Sequence, residues 1–318
     1  GFGSGHIPIQ ARLELQGSRL HIDFAGSSPQ VPGGVNAVAA ITSSATRYVV
    51  RCVVEALLGE PLPAGGGSMS SVVLKYGRDR QFESQTWSFN MELHSKLENE
   101  RKSEKDRFLI GGRSVVNASM PASVAAGNVE TSQRITDVLF RAFGAALPEL
   151  IPALSQGTMN NTTVGGIDPR TGAPFAYYET VGGGMGAGPS GDGLSGVHVH
   201  MSNSLNTPVE ALEHAYPFRI TQYGIRRGTG GAGKHRGGDG LRRDLQVMGA
   251  ARVALLCERR ERGPSGARGG EDGATGENVL IRDGVERALR GKDAFWVEAG
   301  DIVSIRSPGG GGWGHATD

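Results

Sequence analysis

The sequence predicts an α+β protein, a glycine-rich mixed fold with a β-rich C-terminal part and a few buried helices. Three observations carry that expectation. Short alternating apolar segments bounded by glycine turns crowd the last third of the chain. Only a few stretches keep apolar residues at helical spacing. Glycine supplies 51 of 318 residues, roughly twice average usage. No Gly-X-Y period points to collagen, and apolar and charged residues persist throughout, which argues against disorder. What remains is a fold of many tight loops, where the backbone takes positive φ or lies close to a ligand or to another backbone.

The first region, residues 1–76, opens with two alternating bursts, Ile7 to Leu15 and Leu20 to Phe24, around Gln16-Gly-Ser-Arg19, a β-hairpin pattern. Asn36 to Leu58 has helical spacing. Asn36 is the expected cap, Gly59 and Pro61 the stop, and the Val49 to Leu58 apolar residues should be largely buried. A glycine loop and a short strand follow from Gly65 to Lys75. Residues 77–112 are abruptly charged, with Glu92 to Arg107 at the centre, and read as a solvated helix or an interaction arm. In the third region, 113–216, a helix is expected from Val129 to Ala146, ended by Pro148. Strands are expected at Phe175 to Thr180 and Val197 to Ser202, then a brief helix beginning at Pro208 with Thr207 as its cap. The last region, 217–318, reads as strands at Phe218 to Arg226, Leu241 to Met248, Arg252 to Glu258, Asn278 to Arg282 and Ile302 to Arg306, with sandwich or barrel character.

Charge balance narrows the function. Lys and Arg number 33 against 32 Asp and Glu, so no overall field favours nucleic acid. Cys52 and Cys257 each sit in an apolar run, which fits reduced thiols and a cytoplasmic location. No stretch approaches the roughly 20 apolar residues of a membrane span, and the start has no signal-peptide pattern.

Four clusters carry candidate chemistry. Gly127-Asn-Val-Glu-Thr-Ser-Gln-Arg134 opens a helix whose free N–H groups favour an anion, or whose Asn128 or Thr131 simply caps it; Glu130 is its carboxylate. Asn160 and Asn161, then Tyr178 and Glu179 ahead of a glycine loop, are groups that can orient a planar polar ligand such as a cyclic amide, although a glycine turn in a β domain looks the same. On a strand, His198 and His200 would share a face as metal ligands, general bases or a structural pair. Finally, Lys234, His235 and Arg236 lie in a Gly228 to Gly240 loop able to surround an anion. P-loop endings, serine nucleophile elbows and His-Glu-x-x-His zinc sites are absent.

Beyond these clusters, the order of several motifs resembles the second half of the hydantoinase B/oxoprolinase family. The motifs run from His21-Ile-Asp-Phe-Ala-Gly26 and Gly34-Val-Asn36 through Pro121 to Arg134, Tyr177-Tyr-Glu-Thr180 and Asn206-Thr-Pro-Val-Glu210. They continue through Gly230 to Gly238, Gly300-Asp-Ile-Val303 and Ser307 to Gly314. The resemblance implies the C-terminal part of an ATP-dependent cyclic amidohydrolase subunit that opens a hydantoin- or lactam-like ring. The alternatives are a ketone carboxylase subunit of the acetone or acetophenone type and a non-catalytic assembly part.

Under that resemblance, ATP is used by a hydantoinase A-type partner subunit, and a divalent metal belongs to the front half of the B-type subunit, whose Asn-Asp-Pro and Gly-Thr-His-type motifs this chain lacks. The small-molecule substrate would be shaped by His198, His200, Glu130 and Glu179 as acid/base groups, with Asn128, Asn160, Asn161 and Tyr178 binding it. The 77–112 stretch looks like an insertion against the family pattern.

Overall fold

Alternation, helical spacing and turn residues resolve into two compact units in a computed structural model, Gly1–Phe143 and Gly144–Asp318. It describes residues 6–17, 19–62, 72–75, 85–86 and 113–316.

In the first unit the hairpin forms as expected, β1 (Arg12–Gln16) pairing antiparallel with β2 (Arg19–Asp23). The chain then enters α1 (Ala39–Leu58) and returns as β3 (Val72–Lys75), parallel to β2; β4 (Gln85–Thr86) completes a four-stranded sheet. Gly59 ends α1 with φ 73°, its N–H bonded to the Glu55 carbonyl, the left-handed stop that glycine adopts without a Cβ penalty.

Two details depart from the sequence reading. Asn36 does not cap α1: the helix starts three residues later with no side-chain cap, and the Asn36 amide instead ties Val31, Gly33 and Ser123 together. Leu57 and Leu58 are exposed, because the last turn of α1 runs past the core that Val49, Val50 and Val53 enter. Of the charged stretch only Gln85–Thr86 is described, so the helix expected over 92–107 lies outside the described residues, as does the glycine loop before Val72.

The helix expected from Val129 begins as a wide π turn, Gly127–Thr131, and continues as α2 (Ser132–Ala146). Its entry is fixed by the Gly34 to Ala37 segment. The Ala126 N–H bonds to the Gly34 carbonyl at 2.7 Å, and the Thr131 hydroxyl donates to the Val35 carbonyl. A Cβ on Gly127 would lie 2.3 Å from the Asn36 carbonyl oxygen, so only glycine fits. The Thr131 hydroxyl therefore serves the neighbouring segment and not the helix's own donors. Ile135, Leu139 and Phe140 face the core, where Phe140 meets Tyr48 of α1 edge-on.

The second unit is built on two antiparallel sheets. One has strand order β11-β10-β13-β8-β7, formed by β7 (Phe218–Arg226), β8 (Gly240–Val247), β10 (Glu277–Arg282), β11 (Val285–Leu289) and β13 (Ile302–Arg306). The other has order β12-β9-β5-β6, from β5 (Asn161–Ile167), β6 (Pro174–Glu179), β9 (Ala251–Leu256) and β12 (Lys292–Val297). Residues of both sheets, among them Leu245, Leu280, Val303, Val164, Val253 and Leu255, bury into one shared core, the arrangement of a β-sandwich. Along β9 the in–out alternation is complete: Ala251, Val253 and Leu255 are buried, Arg252 and Ala254 exposed.

The strand expected over Val197 to Ser202 does not form. Val197 makes a single bridge to Gly183, and the chain then turns, with His200 at φ 58° and the Ser202 N–H bonded to the Val199 carbonyl. Nor is Thr207 the cap of the brief helix, α3 (Val209–Ala215), which has no side-chain cap.

The glycine excess has a concrete cause in this unit. Segments near residues 184, 230, 238 and 310 lie backbone against backbone, and the Gly310 N–H bonds to the Gly238 carbonyl at 2.9 Å, the Gly231 N–H to the Gly310 carbonyl at 2.9 Å. A Cβ on Gly184 would stand 2.1 Å from the Gly238 oxygen and 2.2 Å from the Gly310 nitrogen. The glycines from 230 to 240 thus fill space against other backbone.

Candidate functional site

Among the residues singled out from sequence, Asn160, Asn161, Tyr178 and Glu179 sit where β5 begins and β6 ends, and His198 and His200 lie in the loop from Val197 to Pro208. Asn160, fully buried at φ 49°, donates from its side-chain nitrogen to Gln156 Oε1 and to the Val181 carbonyl, both at 2.9 Å. Its oxygen accepts from Arg260 Nη1 at 2.8 Å, and the same guanidinium donates to Asn278 Oδ1. Gln156 reaches on to the Val197 carbonyl at 3.4 Å, the residue before His198. A chain of hydrogen bonds therefore runs from Arg260 through Asn160 and Gln156 to the start of the histidine turn.

Glu179 closes β6 inside a second buried group. Arg243 of β8 donates from Nε to both carboxylate oxygens at 3.0 Å; the Tyr177 hydroxyl and the Asn206 amide donate to Oε2 at 2.9 and 3.0 Å. The Arg243 and Glu179 side chains are 1% and 6% exposed, so each charge needs the other. Arg243 also lies 4.6 Å from the centre of the Tyr223 ring. Burial and the adjacent Glu179 charge push the Tyr177 phenol up to about 12, so it stays protonated and remains a donor. Asn206 donates in addition to the Thr180 carbonyl, pinning the 202–207 loop to the end of β6. The carboxylate of Glu179 thus holds a loop in place, a partner set that no spacing rule reveals. Arg243, Arg260 and Gln156 are polar residues of this region that sequence reasoning missed, and Asn206 entered it only as part of a motif. Arg243 stood in an ordinary-looking strand and gave no signal beyond a charge at an inward position of β8.

Asn161 and Tyr178 pair with each other across β5 and β6, the phenol donating to Asn161 Oδ1 at 2.6 Å while the amide nitrogen donates to the Leu256 carbonyl. The Tyr178 ring is exposed. His198 is half-buried, its Nδ1 2.7 Å from Ser202 Oγ; burial lowers its pKa, which favours the neutral ring. His200, on the same turn in the left-handed region, does not share a strand face with it. Glu130 and Asn128 belong to the first unit, Glu130 buried in the π turn and Asn128 exposed.

In the fourth cluster, the Asp239 carboxylate ties the loop to itself by accepting from Arg236 and from the Thr229 and Gly230 N–H groups. Burial opposes its charge, but Arg236 and the Thr229 and Gly230 N–H groups outweigh that cost and hold its carboxyl below the usual range. Among the described residues no three His, Cys, Asp or Glu side chains come together as a metal ion requires. No described helix is long and apolar enough to cross a membrane.

Comparison with known proteins places these features. The family model for hydantoinase B/oxoprolinase matches residues 2–77 and 108–316 and passes over the charged stretch between them. The chain is 37% identical over 309 residues to 5-oxoprolinase 1 of Arabidopsis thaliana, covering 97% of this chain and 20% of that protein. It is 35% identical to an uncharacterized protein of Methanocaldococcus jannaschii, over 97% of this chain and 47% of the other. In fold it is similar to the ATP-dependent caprolactamase of Pseudomonas jessenii (TM-score 0.74, 23% identity, 96% of this chain and 48% of that one). It is likewise similar to a nucleotide-free acetone carboxylase (TM-score 0.66, 16% identity, 96% and 41%). The chain thus spans half or less of the length of these relatives. With a match across both units and the interlocked 34–37 and 121–134 segments, this chain belongs to the hydantoinase B/oxoprolinase family.

Proposed function

We propose that this chain is the C-terminal half of a B-type subunit in an ATP-dependent enzyme that opens a cyclic amide of the hydantoin or lactam kind. The observation that carries this reading is the 37% identity to a 5-oxoprolinase across 97% of the chain. In this reading an A-type partner spends ATP to activate the substrate, and the front half of the subunit supplies a divalent metal. The described residues of the second unit contribute a polar wall.

Each group has a part in that wall. In this reading His198 is the titratable group that assists at the reacting carbonyl; it is held by Ser202, and His200 follows on the same turn. The Asn160–Gln156–Arg260 network fixes the approach to that turn, and Glu179 with Arg243 fixes the loop that follows it. Asn161 and Tyr178 offer a hydroxyl–amide pair at the sheet surface. Separately, in the first unit, Glu130 and Asn128 line the entry to α2. Similarity of fold to acetone carboxylase supports a second reading, a ketone carboxylase subunit built on the same framework.

The test is to purify the chain together with the rest of its subunit and the A-type partner and to follow ADP release. Release that depends on 5-oxoproline, a hydantoin or a lactam and yields the ring-opened acid supports the first reading. Release that depends on a ketone together with bicarbonate supports the second. No substrate-dependent release by the assembled enzyme would leave the chain as an assembly part.

A further inference from the structure

The His198–Ser202 pair holds an atom that the proposed chemistry leaves unexplained. Ser202 Oγ lies 2.7 Å from Nδ1 of His198, and the tight turn between them, closed by the Ser202 N–H to the Val199 carbonyl, holds the two side chains together. At its other end the turn is tied by Val197, through its bridge to Gly183 and the bond from Gln156. His198 Nε2 is buried and has no hydrogen-bond partner among the described residues. Leaving such a group without a partner costs its full desolvation, so an enclosed orphan calls for a reason.

The pairing also decides where the ring hydrogen sits. Ser202 is 8% exposed, and His198 is the one side chain bonded to its hydroxyl among the described residues. If Nδ1–H donated to Oγ, the serine hydrogen would lack an acceptor and the Nε2 lone pair would be bare, two unmet groups. If the serine O–H donates to Nδ1, both of those atoms are satisfied and one group remains unmet, an Nε2–H donor.

We infer that Ser202 is a positioning residue that fixes His198 as its Nε2–H tautomer, so that the ring, once the 197–202 turn shifts to uncover Nε2, offers a neutral N–H donor to an oxygen of the substrate, either an amide carbonyl or a phosphorylated oxygen. This rests on the ring-opening reading above and sharpens it. His198 then acts as a fixed dipole where negative charge develops and not as a proton acceptor. A neutral donor suits that task because it stabilises the developing oxyanion without first having to lose a proton.

The experiment uses the full chain with selectively 15N-labelled histidine. Long-range proton–nitrogen spectra report which ring nitrogen carries the hydrogen, and His198→Gln identifies the signal. The expected spectrum has His198 Nε2 protonated and Nδ1 bare at neutral pH, and Ser202→Ala shifts the ring toward a mixture while Ser202→Thr keeps the native pattern. A dominant Nδ1–H form, or a Ser202→Ala spectrum identical to the parent, overturns the positioning role. In the assembled enzyme Ser202→Ala lowers kcat on the order of tenfold with KM little changed, the scale of losing an orienting partner, and Ser202→Thr restores it. A shifted tautomer with unchanged kcat overturns the substrate contact and leaves an enclosed water as the partner of Nε2. Failure of the unsubstituted enzyme to open any ring overturns the functional reading and the substrate contact together, whereas the tautomer stands or falls by the spectra alone.

Discussion

Arg243 and Glu179 show how far a single pair can govern a region. Removing the cation alone, as in Arg243→Met, strands a carboxylate among buried groups and is expected to cost about 3–5 kcal/mol, read as a lowered urea midpoint. Replacing both, Arg243→Met with Glu179→Leu, is expected to recover much of that loss, because no charge is then left unpaired. His198 adds a pH dependence of known sign. Burial lowers its folded pKa, so below the ordinary histidine value of about 6.5 the unfolded ring takes up a proton that the folded ring resists. Stability contributed by this group is therefore present above that value and declines as the pH falls below it. His198→Gln should flatten that part of the melting temperature profile between pH 7 and 5. Glu179 was visible in the sequence as a carboxylate after two tyrosines, but its partners were not, since Arg243 lies 64 positions away and only the sandwich brings them together.

At the level of elements, legibility followed how much of a segment's environment was local. The strands β7 and β13 fall on their expected residues because each alternates cleanly or is closed by a glycine or proline turn. Strand β5 was missed because Asn161-Thr-Thr-Val-Gly-Gly-Ile reads as loop. Its Gly166 is there for β9 to approach, since a Cβ would lie 2.7 Å from the Ala250 oxygen. The β11 to β12 stretch was missed for the opposite reason: charged, mostly exposed residues hide its pairing. Conversely Val197-His-Val-His200 alternates like a strand but lacks a neighbour beyond one bridge, and a turn won. The connection before β13 depends on Asp301, whose carboxylate accepts from Arg282 and from the Glu298 N–H. The Arg282 bond lowers the Asp301 pKa, so its contribution is full above the ordinary carboxylate range and is lost as the pH falls through the lowered value. Asp301→Asn should therefore weaken the fold at neutral pH and leave its acid unfolding less steep, a difference that circular dichroism across an acid titration would detect.

Across the whole chain, the family match runs up to residue 77 and resumes at 108. Replacing residues 88–107, which leaves β4 in place, by a short Gly-Ser linker is thus expected to leave the melting temperature within a few degrees of the parent; a collapse in soluble yield would show that this part of the charged stretch belongs to the fold. The resemblance carried by scattered motifs was legible from sequence because motifs such as Gly34-Val-Asn36 and Pro121 to Arg134 are two sides of one contact. The sandwich was legible only as β-richness, because sheet order depends on pairings between distant strands. The glycine layer has a consequence for how such a protein can change. Every codon change that replaces a glycine adds at least one carbon, and at Gly184, Gly237, Gly238 or Gly310 that carbon has backbone within 2.3 Å of it. Gly191, with open space around it and no positive φ, makes the comparison. In a library of single substitutions selected for soluble protein, variants at the first four positions should vanish while Gly191→Ala persists. Change in such a protein would then have to come through the side-chain-bearing loops, because the interlocked backbone leaves inheritance no intermediate steps.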